Sequence, residues 1–176
     1  KRQQSVVGGG GLLDIGCYCI SSSRWICDRE PERVIGLFDK DPSFGTDRLA
    51  SGILDFGNGL QASFTCSTQV APYQRINILG THGRVEIDIP FNAPPDRPCR
   101  VSLYPGTPND QGRFEPAESQ VLDMDICDQY TLQGEAISLA ILNDEPVPYG
   151  MEDAVGNMRT LEALRQSNES STWIVP

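Results

Sequence analysis

Apolar and small polar side chains alternate strictly in the middle of the chain. In an extended strand Ala62, Phe64 and Cys66 face one way, and the serines and threonines between them face the other. This period of two is typical of a β-strand with one buried face. A Gly-Asn-Gly turn at 57–59 separates the strand from a second apolar run at 49–56, so we predict a β-hairpin.

The same alternation recurs after a short connection. Apolar and charged residues alternate in 84–89, and the turn 81–83 joins this run to an apolar one at 75–80. We therefore predict a second hairpin. Shorter β-rich runs predict the remaining strands: 34–38, 100–104, 120–124 and a terminal 173–176. The Gly- and Pro-rich stretch 106–116 predicts a mobile surface loop.

Apolar residues at helical spacing mark both ends of the chain. Near the start they recur three and four residues apart through 12–27. Toward the end, Asp128 suits the N-cap of a helix that the Asn-Asp-Glu-Pro run at 143–146 terminates. In a final helix, 151–167, three apolar residues are expected to face the core: Met158, Leu161 and Leu164.

The strands cluster along the chain instead of alternating with helices, so we predict an α+β fold. We expect an open, mostly antiparallel mixed β-sheet with helices packed on one face. The other face carries a strip of small polar residues, Ser63, Thr65 and Ser67. This strip suits an ordinary solvated face and equally a face that packs against a second copy of the chain.

The length and charge of the chain narrow its class. A chain of 176 residues suits one domain, 1–176. Its 14 Lys+Arg against 24 Asp+Glu give a net charge of −10, which argues against a nucleic-acid partner and against an anionic membrane surface. No apolar run approaches the ~20 residues of a transmembrane helix. We expect the first residues, 1–4, to mark an internal cut point in a longer protein, although N-terminal processing would give the same start.

Six cysteines are present, but none forms a C-x-x-C pair, and His82 is the one histidine. We predict reduced, buried thiols that pack as small hydrophobic groups. A disulfide scaffold belongs to smaller secreted chains, and a zinc site needs closer ligand spacing. The cysteines therefore predict a reducing, cytoplasmic location.

The main candidate site lies at the start of the first predicted helix. Four glycines, Gly8 to Gly11, precede it and let the backbone turn sharply and approach another group closely. Asp14 and Tyr18 are four residues apart, so a helix presents them on one face. Such a pair can bind hydroxyl groups and move a proton. Helix capping by Asp14 and half-buried packing of Tyr18 are the alternatives, and the residues alone favour them.

Motifs that bind a dinucleotide are missing. The glycine run follows no convincing strand, and neither G-x-G-x-x-G nor G-x-x-x-x-G-K-[ST] occurs in the required setting. We therefore expect no cofactor-binding residues in this chain, and no metal site. Tyr130 and Gln133, at the start of the penultimate helix, are weaker candidates for the pocket of Tyr18.

The segment GGGGLLDIGCYC (8–19) resembles the substrate-side motif of the glucose–fructose oxidoreductase / inositol dehydrogenase / rhizopine-catabolism (Gfo/Idh/MocA) family. That motif is a glycine run followed by Asp, Gly and then His or Tyr. The form with Tyr and a following Cys is similar to the branch with glucose–fructose oxidoreductase, xylose dehydrogenase and dihydrodiol dehydrogenase. Further segments resemble the family in the family's order, so that the resemblance covers nearly the whole chain: 45–51, 78–86 and the helix that includes 152–154.

The resemblance implies a C-terminal substrate-binding and oligomerisation domain. An N-terminal Rossmann domain, absent from this chain, would bind NAD or NADP and supply a catalytic Lys. In the whole enzyme a hydride would pass between the nicotinamide and a carbinol carbon of a sugar, polyol or diol. The resemblance also implies a homo-oligomer formed through the sheet.

The resemblance gives roles to particular residues. Tyr18 would transfer the proton and Asp14 would position the substrate hydroxyls, while Gly11, Tyr130 and Gln133 would contact the substrate. This chain alone is expected to be inactive. The alternative is a non-catalytic binding or assembly module that shares the fold, and a Rossmann fingerprint upstream would distinguish the two.

Overall fold

The computed structural model describes residues 8–176, so the expectation for residues 1–4 lies outside it. In chain order the elements are a π-helical turn Leu12–Gly16, α1 Cys17–Cys27, β1 Arg33–Lys40, β2 Asp47–Asp55, β3 Gln61–Ser67, β4 Ile76–Gly80, β5 Gly83–Ile87, β6 Cys99–Pro108, β7 Phe114–Pro116, β8 Gln120–Met124, α2 Gln129–Asn143 and α3 Met151–Ser170. They form two compact units. The first contains the chain up to Ala71 together with Tyr149–Pro176, and the second is Pro72–Pro148.

The first unit is built on a three-stranded antiparallel sheet in the order β1-β2-β3. The predicted hairpin of β2 and β3 is confirmed, since Ser51 pairs with Thr65 and Gly52 with Phe64. At the Gly-Asn-Gly turn, Asn58 adopts the left-handed conformation with φ of 53°. Asn tolerates that conformation better than most residues, which suits it to the turn.

The inner face of this sheet carries the hydrophobic core. Ile20 of α1 and Leu164 of α3 are fully buried there. The strands contribute alternate residues to the same cluster: Val34, Ala50, Leu54, Phe64 and Cys66. Each large apolar side chain removed from water stabilises the fold by about 1.5–3 kcal/mol. The helices of this unit therefore pack on one face of its sheet, as the sequence predicts.

The buried stripe of α3 differs from the predicted one at Met158. Leu161 and Leu164 are buried as expected, but Met158 is exposed. The buried positions on α3 continue through Thr160 and Ser167. Because these residues recur at helical spacing, they form one buried face of α3, and Met158 lies outside that face.

The outer edge of β1 is capped by α3 and the C-terminal tail. The backbone N–H of Gly36 donates to Ser167 Oγ at 3.1 Å, and that of Phe38 donates to Asn168 Oδ1 at 2.7 Å. Val34 exchanges backbone hydrogen bonds with Ile174. The predicted terminal strand 173–176 is thus reduced to a single bridge. Satisfying these groups removes a strand edge that would otherwise invite aggregation.

The second unit holds a second open antiparallel sheet, in which β5 pairs with β4 and β6, and β6 also pairs with β8. The hairpin of β4 and β5 is confirmed, and β8 has the bounds predicted for it. The prediction of a loop at 106–116 is wrong at both ends, because β6 continues to Pro108 and β7 pairs back onto it. Together the two units confirm the α+β class.

Helix α2 begins where the sequence predicts. Asp128 is its N-cap, and its carboxylate accepts a hydrogen bond from the Tyr130 backbone N–H at 3.0 Å. Within α2 only Ala140 is buried, so the helix exposes most of its apolar side chains. Among residues 8–176 no helix has both the length and the apolar character needed to cross a bilayer.

Candidate functional site

The glycine run is held against the ends of β2 and β3. Asp47, the first residue of β2, accepts a hydrogen bond from the Leu12 backbone N–H at 2.6 Å. Gly10 has φ of +124°, and a methyl group there would collide with the Asp47 carboxylate. The carbonyl of Gly11 accepts from the Cys66 thiol at 3.5 Å. Gly10 is thus required by the backbone path, which agrees with the predicted sharp turn, and Gly11 lies close to Asp47 and Ser67 in an ordinary helical conformation.

The first helix starts with a turn of π-helix instead of regular α-helix. The backbone N–H of Cys17 donates to the carbonyls of Ile15 and Leu12, and the bond to Leu12 spans five residues. Short π-helical turns inside α-helices are uncommon and recur at functional sites. This turn contains Asp14, and Tyr18 follows it in the first turn of α1. The wider turn changes the angle between these two residues from the one that an α-helix would give.

Tyr18 and Asp14 differ in their exposure to solvent, because Tyr18 is exposed whereas the Asp14 Oδ2 atom is buried. The Tyr18 side chain is 52% exposed, so its phenol is not sealed in the core. Asp14 is half-buried, and its backbone N–H donates to the Gly10 carbonyl at 3.1 Å. The Asp14 charge also contributes, after burial, to raising the pKa of the neighbouring Cys17 thiol. A carboxylate and a phenol therefore lie near the start of one helix, and both groups are able to hydrogen-bond hydroxyl groups.

The other predicted contact residues lie in different places. Gly11 is buried in the first unit beside Cys66. Tyr130 and Gln133 lie on α2 in the second unit, where Tyr130 is 71% exposed. Their roles in one substrate pocket stay predictions. Two open cavities of about 570 Å³ each are lined by other residues, one on α3 and one on the β1–β3 sheet.

Two residues that support the first helix were not predicted from the sequence. Asp47 holds its first turn, and Asn157 of α3 donates from Nδ2 to the Cys17 carbonyl at 3.2 Å. The Asn157 contact fixes the backbone next to Tyr18. No local pattern pairs residues that lie 35 and 140 positions apart in the chain, so a single sequence carries no signal for either contact.

Arg24 of α1 forms an ion pair with Asp153 of α3 and so joins the two helices. Its side chain is 6% exposed, and its guanidinium bonds Glu30 at 2.6 Å and Asp153 at 2.9 Å. A methyl group on Gly156 would lie 2.5 Å from an Arg24 nitrogen, so the glycine makes room for the side chain. Hydrogen bonding to Arg24 lowers the pKa of Glu30, and the same bond raises the pKa of Arg24. This ion-paired cluster sets the position of the helix that carries Tyr18.

The six cysteines are all free, and most are at least half-buried. Burial raises the pKa of Cys66 to about 12 and that of Cys19 to about 11. Cys127 is exposed. No group of His, Cys, Asp and Glu side chains in residues 8–176 has the arrangement of a metal site.

We expect thiol labelling to separate these cysteines. With iodoacetamide at pH 7.5, Cys127 should react within minutes, because it is exposed. Cys66 should stay unmodified, because a pKa of about 12 leaves fewer than about one thiol in ten thousand ionised and the thiolate is the nucleophile. Peptide mass spectrometry measures both, and labelling in denaturant is the control. Equal labelling of the two in the native protein would contradict this description of the core.

The glycine run does not serve as a dinucleotide site. A pyrophosphate needs free backbone N–H groups at a helix N-terminus. Here the Leu12 N–H is already bonded to the Asp47 carboxylate, whose negative charge would also repel a phosphate. The structure therefore gives the chain no pyrophosphate-binding turn at this position.

The sequence of the chain is similar to those of known oxidoreductases. Residues 1–86 match the family model described as the GFO/IDH/MocA C-terminal domain. The chain is 38% identical over 167 residues to an uncharacterized oxidoreductase of Rhizobium meliloti, covering 95% of this chain and 48% of that protein. It is 26% identical over 168 residues to D-xylose 1-dehydrogenase (NADP(+)) 2 of Haloferax volcanii, covering 96% and 48%.

The fold has close counterparts among solved structures. The aldose-aldose oxidoreductase from Caulobacter crescentus, crystallised with glycerol, superposes with a TM-score of 0.79 at 24% identity, covering 99% of this chain and 50% of that one. The chain thus spans about half the length of the relatives that it matches. Sequence and fold together lead to one conclusion: the matched part, residues 1–86, belongs to the C-terminal domain of the Gfo/Idh/MocA oxidoreductase family, and the two sequence alignments extend over 95% and 96% of the chain.

Proposed function

We propose that this chain is the C-terminal substrate-binding domain, residues 1–176, of an NAD(P)-dependent oxidoreductase that acts on a CH–OH group of a sugar, polyol or diol. The observation that carries the proposal is the Tyr18 phenol, 52% exposed one turn after the half-buried Asp14. The relatives support it, since one of them is named as an NADP(+)-dependent xylose dehydrogenase. The N-terminal Rossmann domain would hold the cofactor.

The chemistry of this chain's residues concerns hydroxyl groups and protons. When bound by the partner domain, the nicotinamide supplies or accepts the hydride. Tyr18 hydrogen-bonds the reacting hydroxyl and exchanges its proton, for which a phenol has both a donor and an acceptor. Asp14 accepts hydrogen bonds from substrate hydroxyls and thereby orients the substrate.

A cofactor-dependent activity screen of the full-length protein tests this function. The panel would contain aldoses, polyols and vicinal diols, each with NAD⁺ and with NADP⁺, and reduction of the cofactor would be followed at 340 nm. We expect turnover of at least one of these substrates. The alternative, a non-catalytic binding or assembly module, requires that no substrate is turned over although the full-length protein is folded.

We further propose that the full-length protein is a homo-oligomer that associates through the outer face of the β1–β3 sheet. Leu37 is 76% exposed on this face, and Ile53 is also exposed there. Beside them Ser51 and Thr65 bond each other at 2.9 Å, so the polar part of the face is internally satisfied. A flat face of apolar residues and satisfied hydroxyls suits sheet-on-sheet packing.

A charge on this face should dissociate the oligomer. We expect Leu37→Glu to lower the mass in sedimentation velocity to that of a smaller species, because it buries an unpaired carboxylate. Val175→Glu is the matched control, since Val175 is also 76% exposed but lies in the C-terminal tail. An unchanged mass for Leu37→Glu would exclude this face as the interface.

We also propose a cytoplasmic location. Six free cysteines support it, because an oxidising compartment would expose the thiol of Cys127 to disulfide formation.

A further inference from the structure

Asp47, at the start of β2, bonds the backbone at the start of the first helix. Its Oδ2 accepts from the Leu12 N–H at 2.6 Å, and its carboxylate fills the space that a side chain on Gly10 would need. Gly11 lies against the Asp47 carboxylate and the backbone of Ser67. Four N–H groups at a helix start lack partners within the helix, and a carboxylate there is favoured by the helix dipole. Asp47 therefore holds the segment from Gly10 to Leu12 from outside the helix.

An irregularity in the β1–β2 pairing places Asp47 on this side of the sheet. Asp39 pairs with Leu49 while Lys40 pairs with Asp47, so Arg48 is an extra residue on β2. By simple alternation Asp47 would face the same way as Leu49, which is on the exposed outer face. A bulge of one residue reverses that alternation. The bulge thus turns the Asp47 carboxylate toward the helix that packs on the inner face.

The helix segment held by Asp47 is the one that carries the candidate chemistry. The π-helical turn starts at Leu12, the residue that Asp47 bonds, and it contains Asp14. Farther along, Gly16 lies against the Cys66 thiol, where a methyl group would be 3.2 Å from the sulfur. These contacts fix both ends of the π-helical turn, and so they fix the rotation of the helix at Tyr18.

We propose that Asp47 is a positioning residue for the reaction, which acts through the π-helical turn to set the orientation of Asp14 and Tyr18 toward the substrate. This inference rests on the proposed function. A purely structural role would change only the fraction of molecules that are folded. A positioning role also changes the turnover of each folded molecule. A displacement of a reacting group by about 1 Å can cost about 100-fold in rate.

Kinetics of the full-length protein test the proposal. We expect Asp47→Ala to lower kcat at least about tenfold, measured per folded molecule at a temperature where the variant remains folded. Asp47→Asn should restore kcat to within about threefold of the wild type, because its amide oxygen still accepts from the Leu12 N–H. Asp110→Asn, at an exposed turn position in the second unit, is the control and should leave kcat unchanged. A lowered melting temperature with unchanged kcat in Asp47→Ala would overturn the proposal.

Hydrogen exchange separates failure of this inference from failure of the proposed function. In Asp47→Ala the amides of residues 12–18 should exchange at least about tenfold faster, while those of α3 should stay protected. If the wild type turns over no substrate, the proposed function fails and exchange alone decides the role of Asp47. Unchanged exchange at 12–18 would overturn that role in either case.

Discussion

Replacing Tyr18 by Phe in the full-length protein is expected to lower kcat by about 100-fold or more, since general acid–base catalysis contributes about 10²–10⁴-fold. The substitution removes only the hydroxyl, which is the group that exchanges the proton of the substrate. Tyr18 is 52% exposed, so loss of this hydroxyl should leave the core intact. Steady-state kinetics with saturating cofactor measure the effect, and urea denaturation checks that the variant is folded under the assay conditions.

Tyr149→Phe provides the matched control for this experiment. Tyr149 lies in the same unit and is also exposed, but it precedes α3 and is remote in sequence from the glycine run. Loss of the Tyr149 hydroxyl should leave kcat within about twofold of the wild type, as for a surface substitution away from any special feature. Equal kcat for Tyr18→Phe and the wild type would remove Tyr18 from the mechanism.

The largest expected loss of stability follows removal of Arg24. Arg24→Met keeps most of the volume but deletes the buried guanidinium that bonds Glu30 and Asp153. We expect the free energy of unfolding to fall by about 2–3 kcal/mol, below the 3–5 kcal/mol typical of a fully buried pair, because both carboxylates keep partial access to water. Urea denaturation measures this change. Arg165→Met is the control: its two ion pairs are exposed, so it should cost less than about 1 kcal/mol.

The Arg24 cluster also predicts a pH dependence. Since Arg24 lowers the folded-state pKa of Glu30, this interaction contributes fully above the ordinary Glu value of 4.5. Its contribution is lost as the pH falls through the lowered folded-state pKa of Glu30. The difference in stability between wild type and Arg24→Met should therefore shrink below about pH 4.5. A difference that stays constant down to pH 3 would contradict the assignment of the ion pair.

The strands were predictable because their signals are local. The alternation around Phe64 and the Gly-Asn-Gly turn fix a hairpin within twenty residues of sequence, and both appear in the structure. The capping of α2 by Asp128 is equally local. The division of the strands between two sheets is not local, because it depends on which strand edges pair across long loops.

The candidate site was predictable only in part, for a similar reason. Asp14 and Tyr18 lie in one short segment, and the motif names them directly. Asp47 could not be found, because the bulge at Arg48 reverses the face that alternation assigns to it. The π-helical turn also escaped prediction, since apolar spacing does not distinguish one wide turn from regular α-helix.

The most direct measurement of the central claim is the distance from the Tyr18 phenolic oxygen to the reacting oxygen of the substrate. A crystal structure of the full-length protein with NAD(P) and a bound polyol or sugar would give it. We expect about 2.6–3.2 Å, the range of a hydrogen bond able to carry a proton, with Asp14 bonded to a hydroxyl of the same molecule. A substrate bound with its reacting hydroxyl out of reach of Tyr18, and held there by another acid or base, would contradict the account.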